Sequence, residues 1–358
     1  MSESTGDADS ARRAQQVRAA LQGGHAELAA SMPEPMSDKG LAHWHFRLPG
    51  TGWLARLPKQ SQMDLPADAN LAYQSACFLR AAPSGHTPKL LGVLPPSMHL
   101  PRGAFLVEEI VGRPARLPED LPAIMEALAA IHALPLPPED VRHPLLNPPD
   151  PLQALLREVD AQAAHLDAAG LMPASRSGID AARERVRAGT GLARAAPKRL
   201  IAFDAHPGNF LVRDDGTAVL VDLEKARYGM AALDVAHATL VTSTTWDVES
   251  STVLSTAEVI GAYRHWARAL DDAAAGEARG WVLARAAMWL WSVTWCAKWR
   301  VLSQQPRRLS ADGEDWSGTM SEQRLHRHVS DRVDDYLSPQ RVDFVIDELQ
   351  ALDRALRF

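Results

Sequence analysis

Two carboxylates and a carboxamide stand close together in this 358-residue chain: Asp204, Asn209 and Asp222. They lie in Phe203-Asp204-Ala205-His206-Pro207-Gly208-Asn209-Phe210-Leu211-Val212 and in Ala218-Val219-Leu220-Val221-Asp222-Leu223-Glu224-Lys225. Phe210–Val212 and Ala218–Val221 are short apolar runs of strand type. Arg213-Asp214-Asp215-Gly216-Thr217 between them reads as a turn, with Gly near its centre. A hairpin folded about residues 215–216 pairs positions whose numbers add to about 430. Asn209 and Asp222 then come out side by side at its open end. Asp204 precedes them by one tight Pro-Gly loop and can face the same point. Oxygen ligands of this kind suit a hard cation. Magnesium takes one or two carboxylates and completes its shell with water and substrate phosphates.

The elements that must hold these residues follow from periodicity. Leu41–Leu48, with Trp44 and Phe46 alternating, reads as a strand. Pro49-Gly50-Thr51-Gly52 is a turn, and Trp53–Leu57 returns as a second strand. Asn70–Ala82 is helical in composition and is stopped by Pro83-Ser84-Gly85. Leu90–Leu94 and Phe105–Ile110 read as two further strands. Beyond Gly112-Arg113-Pro114 the chain turns helical: Leu121, Ile124, Met125, Leu128 and Ile131 share one face. Pro151–Leu171 and Ser177–Leu192 read as helices, and residues 200–222 form a second short β segment followed by helices. The sequence thus predicts an α+β chain. Residues 1–34 form a loosely docked helical leader and 35–110 a small, mostly antiparallel β lobe. Residues 111–358 form a large helical lobe holding one hairpin.

The spacing Asp204 to Asn209 is that of the Asp-x-x-x-x-Asn catalytic loop of kinases, with Asp222 standing where their magnesium-binding Asp stands. His206-Pro207-Gly208-Asn209 followed by Val221-Asp222-Leu223-Glu224 resembles the aminoglycoside phosphotransferase and choline kinase family. Its hallmark is close to H-G-D-L-H-P-G-N-x-L-V and then I-D-W/F-E. The resemblance covers roughly residues 35–300. It implies a two-lobed, protein-kinase-like fold, ATP, Mg2+ and a hydroxyl acceptor such as an aminoglycoside, choline or a related metabolite. By that resemblance Asp204 orients the acceptor hydroxyl and accepts its proton, while Asn209 and Asp222 hold the metal that bridges the ATP phosphates. Ser37-Asp38-Lys39-Gly40-Leu41-Ala42-His43 resembles the loop that covers the phosphates, Ser37 and Gly40 included. Arg56 resembles the basic residue that contacts the α- and β-phosphates. Glu108, Glu109 and Ile110 resemble the hinge whose main chain meets adenine. The chain departs from the family in Ala202 for a His, in Arg56 for a Lys, and in Gln74 for the Glu that would pair with it. Those departures motivate a second expectation, a nucleotide-binding regulatory module without efficient turnover.

Composition narrows the remaining classes. A formal charge of −6, with no run of five or six like charges, favours solubility and disfavours nucleic acid. Cys77 and Cys296 make neither a disulfide framework nor a zinc site, and read as reduced thiols of a cytoplasmic protein. The first residues are polar and lack the apolar core of a signal peptide. Trp281–Trp299 is the most apolar stretch, but Arg285 and Lys298 interrupt it, so it reads as a buried helix and no membrane partner is expected. The order Asp204-x-His206 is the reverse of a non-haem iron motif. No Walker G-x-x-x-x-G-K-[ST] occurs. Five Trp of the 281–299 helix fall on one broad face. They serve as core or as an acceptor-pocket wall able to hold a cation.

Overall fold

The computed structural model describes residues 3–30, 32–37, 40–193, 196–248, 250–272, 276, 278–307, 310, 312–317 and 323–356. By contacts the chain divides into two units, and the divide at Ile110 falls where the strand-rich sequence gives way to helix.

The first unit joins residues 1–82, 88–110 and 303–329. Helix α1 spans Glu3–Leu21. Five strands follow, β1 (Glu34–Pro35), β2 (His43–Leu48), β3 (Trp53–Pro58), β4 (Leu90–Leu94) and β5 (Ala104–Glu108), with α2 (Ala67–Ala81) between β3 and β4. They form one antiparallel sheet in the order β1-β2-β3-β5-β4. Side chains alternate across a strand. Phe46, Leu48, Ala55 and Leu57 therefore share one face, where they pack with Ala14, Val17 and Leu21 of α1. The leader is not loosely docked: its apolar residues Ala14, Val17 and Leu21, which share one helical face, are part of this core. The opposite face carries His43, Arg56 and Phe105 and meets Gln74 and Phe78 of α2. Gly50 and Gly52 take φ of 76° and 74°, and the Thr51 hydroxyl bonds to Leu48 O at 2.7 Å. Gly50-Thr51-Gly52 is thus the hairpin turn between β2 and β3.

The second unit joins residues 83–87, 111–302 and 330–358. Its strands are β6 (Arg113–Pro114), β7 (Lys198–Ile201), β8 (Phe210–Val212), β9 (Ala218–Leu220) and β10 (Arg227–Met230). Its helices are α3 (Leu121–His132), α4 (Pro151–Ala163), α5 (Pro173–Gly189), α6 (Ala232–Thr239), α7 (Val241–Thr244), α8 (Thr256–Leu270) and α9 (Ala278–Leu302). Two more helices follow, α10 (Gln323–Tyr336), which starts among residues of the first unit, and α11 (Pro339–Ala355). The expected hairpin β8–β9 is present, but β6 adds to it as a third strand and β7 pairs with β10 as a separate sheet. β10 reads as helix from sequence; it is fully buried and pairs with a strand 26 residues upstream, a contact no local pattern reports. Helix α9 runs through the core, and its Arg285 is wholly buried. That guanidinium is neutralised by Glu348 at 2.9 Å and donates to the Thr239 hydroxyl at 2.7 Å. Among the described residues no helix is long and apolar enough to cross a membrane.

Candidate functional site

The hairpin register is the one the turn dictates: Phe210 pairs Leu220, Leu211 pairs Val219 and Val212 pairs Ala218. One step further, the Val221 N–H donates to Asn209 O at 2.9 Å. Asp222 therefore leaves the sheet beside Asn209. Residues 207–209 form a single 3-10 turn that brings Asp204 back to the same end, and Asn209 Nδ2 donates to Asp204 O at 2.8 Å. With its N–H2 so engaged, the oxygen is the Asn209 side-chain atom left to act as an acceptor. Gly208 must be Gly: a Cβ there would stand 2.9 Å from Asp247 Cβ and 3.0 Å from His206 Cε1.

The loop is held from beneath. Phe203 has φ of 66°, a strained value for a side-chain-bearing residue. Asp234 of α6 fixes it by accepting from the Ala202 N–H at 2.7 Å and the Phe203 N–H at 2.8 Å. The buried His132 of α3 donates Nε2–H to Asp234 at 3.0 Å, while its Nδ1 accepts from the Trp266 indole N–H at 2.9 Å. Because indole can only donate, that second bond fixes the His132 tautomer. Ala202, where the family resemblance places a His, has its backbone N–H held by Asp234.

The immediate partner of Asp204 is one that sequence spacing did not single out. Lys225 Nζ stands 2.5 Å from Asp204 Oδ2, with the two side chains 8% and 15% exposed. Burial pulls the Asp204 carboxyl upward, but the Lys225 ammonium, with His237 and His206, outweighs it and holds the group below the usual carboxylate range. Burial pulls Lys225 downward, and Asp204 and Glu224 reverse that, so the ammonium keeps its proton more firmly than a free lysine. His237 of α6 faces Asp204 Oδ1 at 3.7 Å, beyond hydrogen-bond reach, and its Nδ1 has no partner. Burial drives His237 down to about 4, so it is neutral at physiological pH. His206 is likewise lowered, by burial first. Asp204 is thus an ionised carboxylate with one oxygen bound to a cation and the other facing a neutral imidazole.

Lys225 and His237 were both legible in retrospect. Lys225 follows directly on the Asp222-Leu223-Glu224 motif. His237 lies three residues after Asp234, so it shares that helix side and looks at the same loop. The Trp residues of α9 do not converge on one pocket. Trp281 stacks on Tyr263, Trp295 meets Trp246, and Trp291 meets Phe203 and His237. The Trp291 ring carries Lys225 Nζ at 5.2 Å, so its π face already serves an internal cation.

In the first unit, Arg56 of β3 is buried. It reaches Gln74 through a relay: Arg56 Nη2 to His43 Nδ1 at 3.3 Å, then His43 Nε2 to Gln74 Oε1 at 3.1 Å. Gln74 Nε2 in turn donates to Asn70 Oδ1 at 3.2 Å. Where the family resemblance implies a direct Lys–Glu pair, an imidazole here stands between Arg56 and Gln74. At the end of β5 the Glu108 N–H is engaged with Lys89 O and the Glu109 N–H with Gly52 O, both at 2.9 and 2.8 Å respectively. Those two N–H groups are not available to an adenine. Glu109 also pairs with Arg47 at 2.6 Å. Ser37 and Gly40 flank the expected phosphate loop, and Gly40 O accepts from Lys59 Nζ at 2.6 Å. Asp38 and Lys39 lie outside the described residues. Among the described residues no group of three or more His, Cys, Asp or Glu forms a metal cluster. A single carboxylate beside an amide, Asp222 with Asn209, agrees with a cation that draws its other ligands from substrate and water.

The two-unit arrangement of a β-rich part and a helical part, with this loop, is that of a kinase-like fold. The sequence profile of the APH phosphotransferase enzyme family matches residues 42–289, well over half of the chain, and the chain belongs to that family. Among solved structures it resembles a choline/ethanolamine kinase family protein from Mesorhizobium loti, with TM-score 0.57 and 18% identity over 95% of this chain and 99% of that one. It also resembles an ethanolamine kinase of Plasmodium vivax, with TM-score 0.58 and 11% identity over 89% and 86%. The GDP complex of aminoglycoside 2'-phosphotransferase-IIIa gives TM-score 0.57 and 12% identity over 90% and 99%. No curated protein sequence matches the chain. At these identities the likeness is one of fold.

Proposed function

We propose that this protein transfers the γ-phosphoryl group of ATP, with magnesium, to a hydroxyl of a small molecule. The observation that carries this reading is the convergence of Asp204, Asn209 and Asp222 at one end of the β8–β9 hairpin, on a loop braced by Asp234. Similar folds in complex with GDP and with ADP support a nucleotide as the donor. Asp222 and the Asn209 side-chain oxygen would hold the cation, which neutralises charge on the transferring phosphates. Asp204 Oδ1, with no cation bound to it, would accept the hydrogen bond of the acceptor hydroxyl and take its proton as the new P–O bond forms. Since its pKa is depressed, Asp204 is a weak base, and alignment of the hydroxyl is its larger contribution. Arg56 would meet the donor phosphates as a fixed charge, oriented by His43. Ser37 and Gly40 would lie over those phosphates. Base recognition would fall on the Ile110 main chain and on the carbonyls of Glu108 and Glu109, since their N–H groups are engaged.

The test is an ADP-release assay against a panel of alcohols, amino alcohols, sugars and aminoglycosides. One acceptor should raise ADP release above the ATP-only background. Asp204→Asn should lower kcat for it by roughly 10²–10⁴ while leaving nucleotide affinity near wild type. Undiminished turnover in that variant, or nucleotide binding with no acceptor-dependent ADP across the panel, would remove the assignment.

A further inference from the structure

The first unit contains a second concave site that the phosphotransfer chemistry does not use. It lies on the α1 side of the sheet, where Trp44 and Leu57 are cross-strand partners. Arg56, one residue before Leu57, points to the opposite face. The site has a volume of about 270 Å³ and is walled by α1, the ends of β2 and β3, the turn before β5, and Arg307, Ser310 and Asp315.

Its charge is lopsided in a chain that is acidic overall. Five lining residues are basic (Arg12, Arg13, Lys59, Arg102 and Arg307), and one, Asp315, is acidic. Arg12 and Arg13 share a single carboxylate, Asp9, at 2.5 and 2.6 Å. The Arg13 guanidinium carbon sits over the Trp44 ring, 3.9 Å from its centre, which holds it in place at the wall. Arg102 is the decisive residue. It is 8% exposed, and its Nη1 is buried with no hydrogen-bond partner. Burial lowers its affinity for the proton, and the Asp312 and Asp315 carboxylates oppose that only in part. Asp312 is engaged by the Ala67 N–H at 2.9 Å, and Asp315 by the Ser317 N–H and hydroxyl. A buried guanidinium with an unsatisfied donor is costly, and an anion held in the adjoining pocket offsets part of that cost through its charge.

We infer that this pocket is a binding site for a small phosphate-bearing anion, held by Arg102 at its floor and by Arg12, Arg13 and Arg307 at its rim. Guanidinium forks are suited to phosphate oxygens, and the volume fits a compact phosphate compound. The site is separate from Arg56, so its occupancy does not depend on the proposed phosphotransfer reaction.

The test is calorimetric titration of the full chain with inorganic pyrophosphate in EDTA. Wild type should bind at one site. Arg102→Gln should weaken that binding at least tenfold. Because Arg102 is buried and its replacement can harm folding, a second variant, Arg12→Gln/Arg307→Gln, changes two exposed positions and should also weaken binding at least tenfold. Arg56→Gln, on the other face of the sheet, should bind as wild type does. No binding by wild type at millimolar pyrophosphate would overturn the inference. So would binding that both pocket variants retain, or binding that Arg56→Gln abolishes.

Discussion

Replacing Lys225 by Met probes the electrostatics of the site most directly. Met fills a similar volume and removes the ammonium that stands 2.5 Å from Asp204. Both side chains are largely buried, so the variant leaves a carboxylate without its cation, and His237 and His206 are neutral neighbours near pH 7. Breaking a buried ion pair from one side typically costs about 3–5 kcal/mol, and the residual exposure of Asp204 favours the lower end. The pH dependence has a definite sign. In the wild type the Asp204 pKa is depressed, so its contribution to stability is present above the unfolded carboxylate value of about 4 and is lost as pH falls through the folded one. Without Lys225, the His237 and His206 imidazoles, neutral near pH 7, do not offset burial there; the folded pKa rises and the ionised group becomes a liability at neutral pH. The loss on substitution should therefore be about 3 kcal/mol at pH 8 and shrink steadily toward pH 4. Urea unfolding of wild type, Lys225→Met, Asp204→Asn and the double variant measures this. The double variant should be more stable than the sum of the single losses predicts, by about 2 kcal/mol. Additive losses, or a pH-independent difference, would refute the coupling on which the site description rests. In the ADP-release assay the acidic limb of kcat/KM should move to higher pH in Lys225→Met.

His237→Gln isolates a second titration: in wild type the folded imidazole titrates at about 4 and the unfolded one near 6.5, so stability declines as pH falls from 6.5 to 4 by about 3 kcal/mol. The variant should lack that component, and parallel stability curves for the two proteins in urea titrations at successive pH values would contradict it. Asp234→Ala removes the acceptor of two buried backbone N–H groups and of His132, and should destabilise by about 3 kcal/mol or more. Hydrogen exchange should locate the loss at Ala202 and Phe203; unchanged protection there would argue against the brace.

Some of this was readable without coordinates. The Asp-x-x-x-x-Asn spacing and the Gly216 turn fixed the hairpin register, because a short turn leaves one pairing in which both apolar runs are satisfied. The β2–β3 hairpin and the face of α3 were legible for the same reason, since local period reports local structure. The docking of α1 was missed although Ala14, Val17 and Leu21 carry it, because polar residues dominate the rest of that helix. Strand β10 and the third strand β6 were missed because their partners are distant in sequence.

The amino-acid sequence by itself determined the family, the antiparallel lobe and the convergence of Asp204, Asn209 and Asp222, all of which follow from short-range spacing. Tertiary structure alone decided the state of those groups. That Lys225 clamps Asp204, that His237 is stripped of its proton, that His43 stands between Arg56 and Gln74, and that Arg102 lines a pocket with its Nη1 buried and without a hydrogen bond are matters of burial and of contacts between remote segments. A charge's behaviour depends on its distance from other charges and from water, and neither distance is encoded in residue order.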